Sequence, residues 1–186
     1  MNGMQAAARL VDAFEAANIP YMVVGSLSSS FYGIARSTYD ADFVVSAPAL
    51  ELQRVITGLG DEFQLVSQLS FEMLTGTTRR VIQLRDSAFV IELFQLSQDP
   101  FDVERFQRKV RMLLPMMDRE VFVPTAEDVI LMKLQWGRGK DLDDVRGVIA
   151  VQSHVLNWDY IHQWAAQHGS QARLEDVRRS LPPLSE

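Results

Sequence analysis

The chain contains no cysteine, which excludes disulfides, a thiolate nucleophile and cysteine-ligated zinc or iron–sulfur centres. Such a chain gives no sign of an oxidising compartment and suits the cytosol. No apolar run approaches the roughly 18 residues that a membrane span needs. The N-terminal stretch lacks a basic start, and Arg9, Asp12 and Glu15 interrupt its apolar residues, so it does not read as a secretory signal. Histidine is scarce: His154, His162 and His168 all lie late in the chain, and none has a zinc-protease spacing. These absences predict a soluble, cytoplasmic protein with no membrane partner.

Charge of one sign is not in large excess. With 18 Lys+Arg against 24 Asp+Glu, the formal net charge is 18 − 24 = −6. That balance argues against a protein that coats DNA and leaves room for a local basic cleft. Hydrophobic residues make up 47% of the 186 positions and charged residues 23%, which excludes disorder for most of the chain. A chain of this length buries roughly 70% of its unfolded surface, enough for one core or a core with a helical appendage.

Leu10, Val11 and Phe14, with alanines between them, have helical spacing from about Met4 to Ala17, and Asn18-Ile19-Pro20 stops that helix. Tyr21 to Val24 reads as a short strand ending at Gly25-Ser26, with a short helix through Phe31. Arg36 to Val45 reads as a second strand, and Pro48 to about Thr57 as a helix with Pro48 at its first position. Further strands are expected at Phe63–Val66, Arg80–Leu84 and Phe89–Leu93. From Asp102 onward the pattern is mostly helical apart from Val121 to Pro124, with Thr125 as a helix cap. Helices follow from near Asp141, from Asp159 to His168 and from Gln171 to Arg179. The expected organisation is therefore an α/β (α+β) core, a mixed sheet with flanking helices over residues 1–100, followed by a mainly helical region over 101–186 packed on it.

The strongest local signal is Gly25-Ser26 followed by Asp40-Ala41-Asp42. Residues two apart on a strand share a face, so Asp40 and Asp42 project together and repel. A divalent cation resolves that repulsion, and Mg²⁺ commonly takes one or two carboxylates plus substrate phosphates. The bland alternative is that Asp40 caps a turn and Asp42 faces water. Gly25 after a strand lets backbone N–H groups approach a phosphate, with the Ser26 hydroxyl donating to it. Arg36 is suited to bidentate phosphate pairing, or is simply a surface arginine. Glu92 lies in an apolar strand, where an unpaired carboxylate is costly, so it needs a metal, an arginine or a proton as partner. The basic cluster Arg105, Arg108, Lys109 and Arg111 reads as a solvated helix face or as contacts to an acceptor's phosphates. Trp136, Trp158 and Trp164 are expected to pack the core or helix interfaces, and Met112, Met116, Met117 and Met132 to fill the core.

Val24-Gly25-Ser26, the run Arg36-x-Thr38-x-Asp40-x-Asp42 and the apolar-flanked Glu92 together resemble the nucleotidyltransferase superfamily related to DNA polymerase β. The details look most like its small bacterial branch around the AbiEii-type toxins. There a Glu-Asp-Leu-x-x-x-Lys helix is followed by Arg-x-x-Asp-x-x-Asp, matched here by Glu127 to Lys133 and Arg138 to Asp144. The resemblance spans roughly residues 20 to 150. It implies that Asp40, Asp42 and Glu92 form a Mg²⁺-binding acid triad, with the third acid activating the attacking hydroxyl. It also implies that Gly25 and Ser26 hold the triphosphate of an NTP and that Lys133 reaches into the nucleotide site. The sequence departs from the pattern in two places: Ser26 stands where the toxin branch has glycine, and Glu92 where Asp is usual.

The activity implied by the resemblance is Mg²⁺-dependent transfer of a nucleoside monophosphate from an NTP to an acceptor hydroxyl on tRNA, protein or a small molecule. The resemblance also implies an antitoxin protein as partner. The alternative is a catalytically inactive nucleotide-binding or protein-interaction module that keeps the fold. The face on which Glu92 projects discriminates between the two. A phosphodiesterase or nuclease is the weaker third reading, since no histidine lies near these acids in sequence.

Overall fold

The computed structural model describes residues 1–73 and 76–181, so the end of the expected helical region, 182–186, lies outside the described residues. Helix α1 (Gly3–Ala16) opens on a capping box between Asn2 and Gln5. Strand β1 (Tyr21–Val24) runs straight into helix α2 (Gly25–Tyr32), and β2 (Asp40–Val45) and α3 (Ala49–Gly58) follow. Strands β3 (Phe63–Leu65), β4 (Ser70–Glu72), β5 (Thr77–Leu84) and β6 (Val90–Gln95) complete the sheet. Helix α4 (Pro100–Gln107) leads to a hairpin of β7 (Val110–Leu114) and β8 (Arg119–Val123). The helices α5 (Ala126–Trp136), α6 (Gly139–Gln152), α7 (Trp158–Gln167) and α8 (Gln171–Ser180) come last.

The sheet is mixed, in the order β1-β2-β6-β5-β3, with β4 also pairing β5. Among the described strands only β2 and β6 are parallel neighbours; the other pairs are antiparallel. Period-two alternation divides the side chains between two faces. Tyr21, Val23, Phe43, Val45, Ile91, Leu93 and Ile82 join Leu10, Phe14, Leu52 and Ile56 of α1 and α3 in the main core. The opposite face carries Met22 and Val44, packed with Phe106, Val24 and Phe94, and the acids Asp40, Asp42 and Glu92. A second core forms among α5 to α8, with Phe101 of α4 inserted, and Tyr32 of α2 packs against both cores. The end of α2 lies so close to α6 that a Cβ on Gly33 would stand 2.8 Å from the Val148 backbone nitrogen. That contact docks the helical layer onto the sheet.

The structure corrects the sequence reading at several points. Residues 36–38 are not strand; β2 begins at Asp40. Pro48 is the N-cap of α3 rather than its first helical residue. Strand β4 is only three residues long and β7 exposes Arg111, Met112 and Leu113, so neither carries an apolar alternation. The β7–β8 hairpin interrupts the helical region and sends Leu114, Met117, Val121 and Val123 into the main core. Met112 and Met116, expected inside, are exposed on this hairpin. No helix among the described residues is long and apolar enough to cross a membrane.

Phe43 is fully buried, with its ring 6.1 Å from Phe14 and 6.3 Å from Tyr21. Phe43→Ala is expected to cost about 3–5 kcal/mol in urea unfolding through the cavity it leaves. Phe71→Ala, at a ring 67% exposed, stays within about 0.5 kcal/mol of the parent.

Candidate active site

The turn from β1 into α2 depends on Gly25. Its φ of +66° is the left-handed region, and a Cβ there would overlap the Asp42 carboxylate. β1 pairs antiparallel with β2 so that Val24 faces Asp42, and β2 pairs parallel with β6 so that Asp42 faces Glu92. Asp40, Asp42 and Glu92 therefore project from one sheet face. They line a cleft of about 500 Å³ together with Gly25, Ser26, Arg36, Lys133, Trp136, Arg138 and Lys140.

Each acid has a different environment. Asp40 accepts hydrogen bonds from the hydroxyls of Thr38 and Ser26, the latter at 3.3 Å, and Ser26 Oγ lies 2.8 Å from Thr38 Oγ1. The Ser26 hydroxyl thus serves Asp40. Asp42 has no such anchor among the described residues: burial first, then the charges of Asp40 and Glu92, push its carboxyl up to about 7, with Lys133 and Lys140 opposing. Glu92 Oε1 accepts from Arg79 Nη1 at 3.1 Å.

Cations around the cleft face these acids; among the described residues Lys133, Arg36 and Arg138 share two carboxylates, Asp141 and Asp144, while Lys140 has no acidic partner. Lys133 Nζ, almost buried, lies 2.7 Å from Asp144 Oδ2 and 3.2 Å from Asp141 Oδ1. Arg36 donates twice to Asp144, at 2.9 and 3.2 Å, and Ser29 Oγ adds a third bond at 3.1 Å. Arg138 Nε donates to Asp141 at 2.6 Å. Burial opposes ionisation of Asp141 and Asp144, yet these bonds hold both carboxyls below the usual range. Arg138 occupies the N-cap position of α6, and Asp141 within the first turn is a fully buried counter-ion.

The basic cluster does not act as one patch. Arg105 is buried in a pair with Asp102 at 2.7 Å, and Arg108 pairs with Asp128 while lying 3.9 Å over the Tyr160 ring. Lys109 stacks on Phe106, and Arg111 pairs with Glu120 and Glu15. Trp164 packs in the second core, whereas Trp136 lines the cleft. Arg79 escaped the sequence reading, whereas Asp144 stood in it as the last acid of the Arg138–Asp144 motif, without its role as counter-ion to Arg36 and Lys133. The trace of that role was its i,i+3 spacing from Asp141, which places both on one helix face.

The donor set suits a hard cation in kind, being carboxylates alone. Among the described residues, however, no three His, Asp or Glu side chains are gathered closely enough to hold a metal ion by themselves. Mg²⁺ tolerates this, because one or two carboxylates plus substrate oxygens and water complete its shell.

This arrangement of sheet, turn and helical layer is similar to the fold of solved nucleotidyltransferase-like structures. No family model matches the sequence, and no curated protein does either. Solved structures do. The antibiotic-resistance factor ANT(2'')-Ia in solution aligns over 96% of this chain and 99% of its own, at 14% identity and TM-score 0.60. ANT(2'')-Ia in complex with adenylyl-2''-tobramycin aligns over 91% and 98%, at 13% identity and TM-score 0.62. An antigenic nucleotidyltransferase-like protein from Paracoccidioides brasiliensis aligns over 96% and 93%, at 16% identity and TM-score 0.56. At these identities the likeness is one of fold.

The folded protein holds the Asp42 proton more tightly than the unfolded chain, whose carboxyl titrates near 3.8. Stability accordingly falls as pH rises from about 4 to about 7. In metal-free buffer Asp42→Asn is expected to be about 2 kcal/mol more stable than the parent at pH 8, and to lose that advantage by pH 4, in urea unfolding at both pH values. Asp144→Asn strips near-buried Lys133 and Arg36 of a shared partner, and the same measurement at pH 7 is expected to show a loss of about 2–3 kcal/mol.

Proposed function

We propose that the chain is a Mg²⁺-dependent nucleotidyltransferase that moves a nucleoside monophosphate from an NTP to an acceptor hydroxyl. The observation that carries this is the placement of the Gly25 turn directly against Asp42, beside Asp40, at the wall of one cleft. In this reading Asp40 and Asp42 hold the metal, which supplies charge neutralisation to the triphosphate and to the leaving pyrophosphate. The backbone N–H groups at Gly25 and Ser26 face the phosphates at the start of α2. Lys133 and Arg36, oriented by Asp144, contribute positive potential at the nucleotide end. Glu92 accepts the proton of the acceptor hydroxyl as its oxygen bonds to the α-phosphorus and pyrophosphate leaves.

The acceptor classes that the resemblance implies are tRNA, protein or a small molecule. ANT(2'')-Ia, with its adenylyl-tobramycin complex, makes a small molecule the first to assay. The AbiEii-type branch and an antitoxin partner rest on the sequence resemblance alone. A cytoplasmic location fits a need for NTP and Mg²⁺. The second reading, a nucleotide-binding module without transfer, draws support from the engagement of Glu92 by Arg79.

Calorimetric titration with each NTP tests the proposal. Binding is expected to require Mg²⁺ and to be lost in Asp42→Asn, followed by transfer of label from an α-labelled NTP. Absence of binding by any NTP to the folded protein would overturn it. Binding without transfer to any acceptor class would favour the second reading.

A further inference from the structure

Among the three acids of the site, Glu92 is the one that an arginine already holds. In the register of β5 against β6, Val81 stands opposite Glu92 and Arg79 opposite Phe94, so the Arg79–Glu92 pair is diagonal across the sheet face. Diagonal neighbours are separated by about 7–8 Å between Cα atoms, within reach of long side chains only. An aspartate at this position would fall short by about 1.5 Å, the length of one carbon–carbon bond. The glutamate that departs from the family pattern is therefore matched to the arginine beside it.

The other arginine–carboxylate pair lining the cleft behaves differently. Arg105 and Asp102 have side chains 5% and 7% exposed, a fixed element of the wall. Those of Arg79 and Glu92 are 36% and 22% exposed, in contact with the cleft's solvent, where ion pairs are weak and exchange readily. With Glu92 turned to Arg79, no group of three metal-capable side chains forms among the described residues.

We propose that Arg79 withholds Glu92 from the metal site, so that the nucleotide-free protein offers a cation Asp40 and Asp42 alone, and the third acid joins when Arg79 lets go. This rests on the reading of Asp40 and Asp42 as metal-holding. Arg79 lines the cleft, and a substrate phosphate entering it competes for the guanidinium through bidentate, charge-assisted bonds. Arg79 is thus a positioning residue that ties the availability of the third acid to the arrival of an anion.

Mn²⁺ titration without nucleotide, followed by the electron paramagnetic resonance signal of the free ion, tests this on the full chain. Arg79→Gln is expected to bind Mn²⁺ about 3–5-fold more tightly than the parent. Glu92→Gln is expected to match the parent, the double variant to match Glu92→Gln, and Arg79→Lys to stay near the parent because its charge still pairs. Unchanged affinity in Arg79→Gln, weakened affinity in Glu92→Gln, or a gain that persists in the double variant would each overturn the proposal while leaving the metal site standing. Absence of Mn²⁺ binding in the parent would overturn the metal reading itself, and this proposal with it. Melting temperatures of all four variants close to the parent's establish that the partly exposed substitutions leave the fold intact.

Discussion

The parallel register of β2 against β6 is the constraint on which the rest of the cleft depends, because it sets Asp42 beside Glu92 while Asp40 already shares their face. Three carboxylates on one sheet face repel, and the surrounding residues answer that repulsion separately. Hydroxyls of Thr38 and Ser26 satisfy Asp40, Arg79 takes Glu92, and Asp42 is left with its affinity for a proton raised by burial and by both neighbours. Gly25 is part of the same constraint: any side chain there would collide with the Asp42 carboxylate. A site arranged this way carries unbalanced negative charge at its centre, which is what a bound cation relieves.

The helical layer supplies a frame of charge around that centre. Asp141 of α6 is buried and the side chain of Asp144 nearly so, and each binds two cations that reach toward the cleft. Lys133 is shared between them, so its ammonium is fixed in place at the cleft wall. Gly33 at the end of α2 permits the backbone approach to α6 on which this frame depends. Substitutions in the second core would therefore reach the cleft by moving α6, with no residue of the sheet changed.

Much of the fold was legible in the residues. The β-rich run Tyr21–Val24, the two-residue period that puts Asp40 and Asp42 on one face, and the 3.6-residue spacing of the N-terminal helix are all local features. Strands β4 and β7 were not legible, because a three-residue strand and one with three successive exposed residues have no alternation to detect. The clustered arginines after Asp102 illustrate the same limit for charge. Adjacent in sequence, they part at the junction of α4 and β7 and find separate acids on different elements.

The sequence by itself determined the residue types of the site, the short-range geometry of Gly25-Ser26 and the shared face of Asp40 and Asp42. Those features rest on local backbone geometry, in which a two-residue strand period or a left-handed glycine needs no distant partner. Tertiary structure alone decided that Glu92 stands beside Asp42, that Arg79 claims it, and that Lys133 and Arg36 share Asp144. These contacts join residues from 144 − 133 = 11 to 108 positions apart, and sheet register and helix docking choose among many counter-ions that sequence spacing leaves equally open.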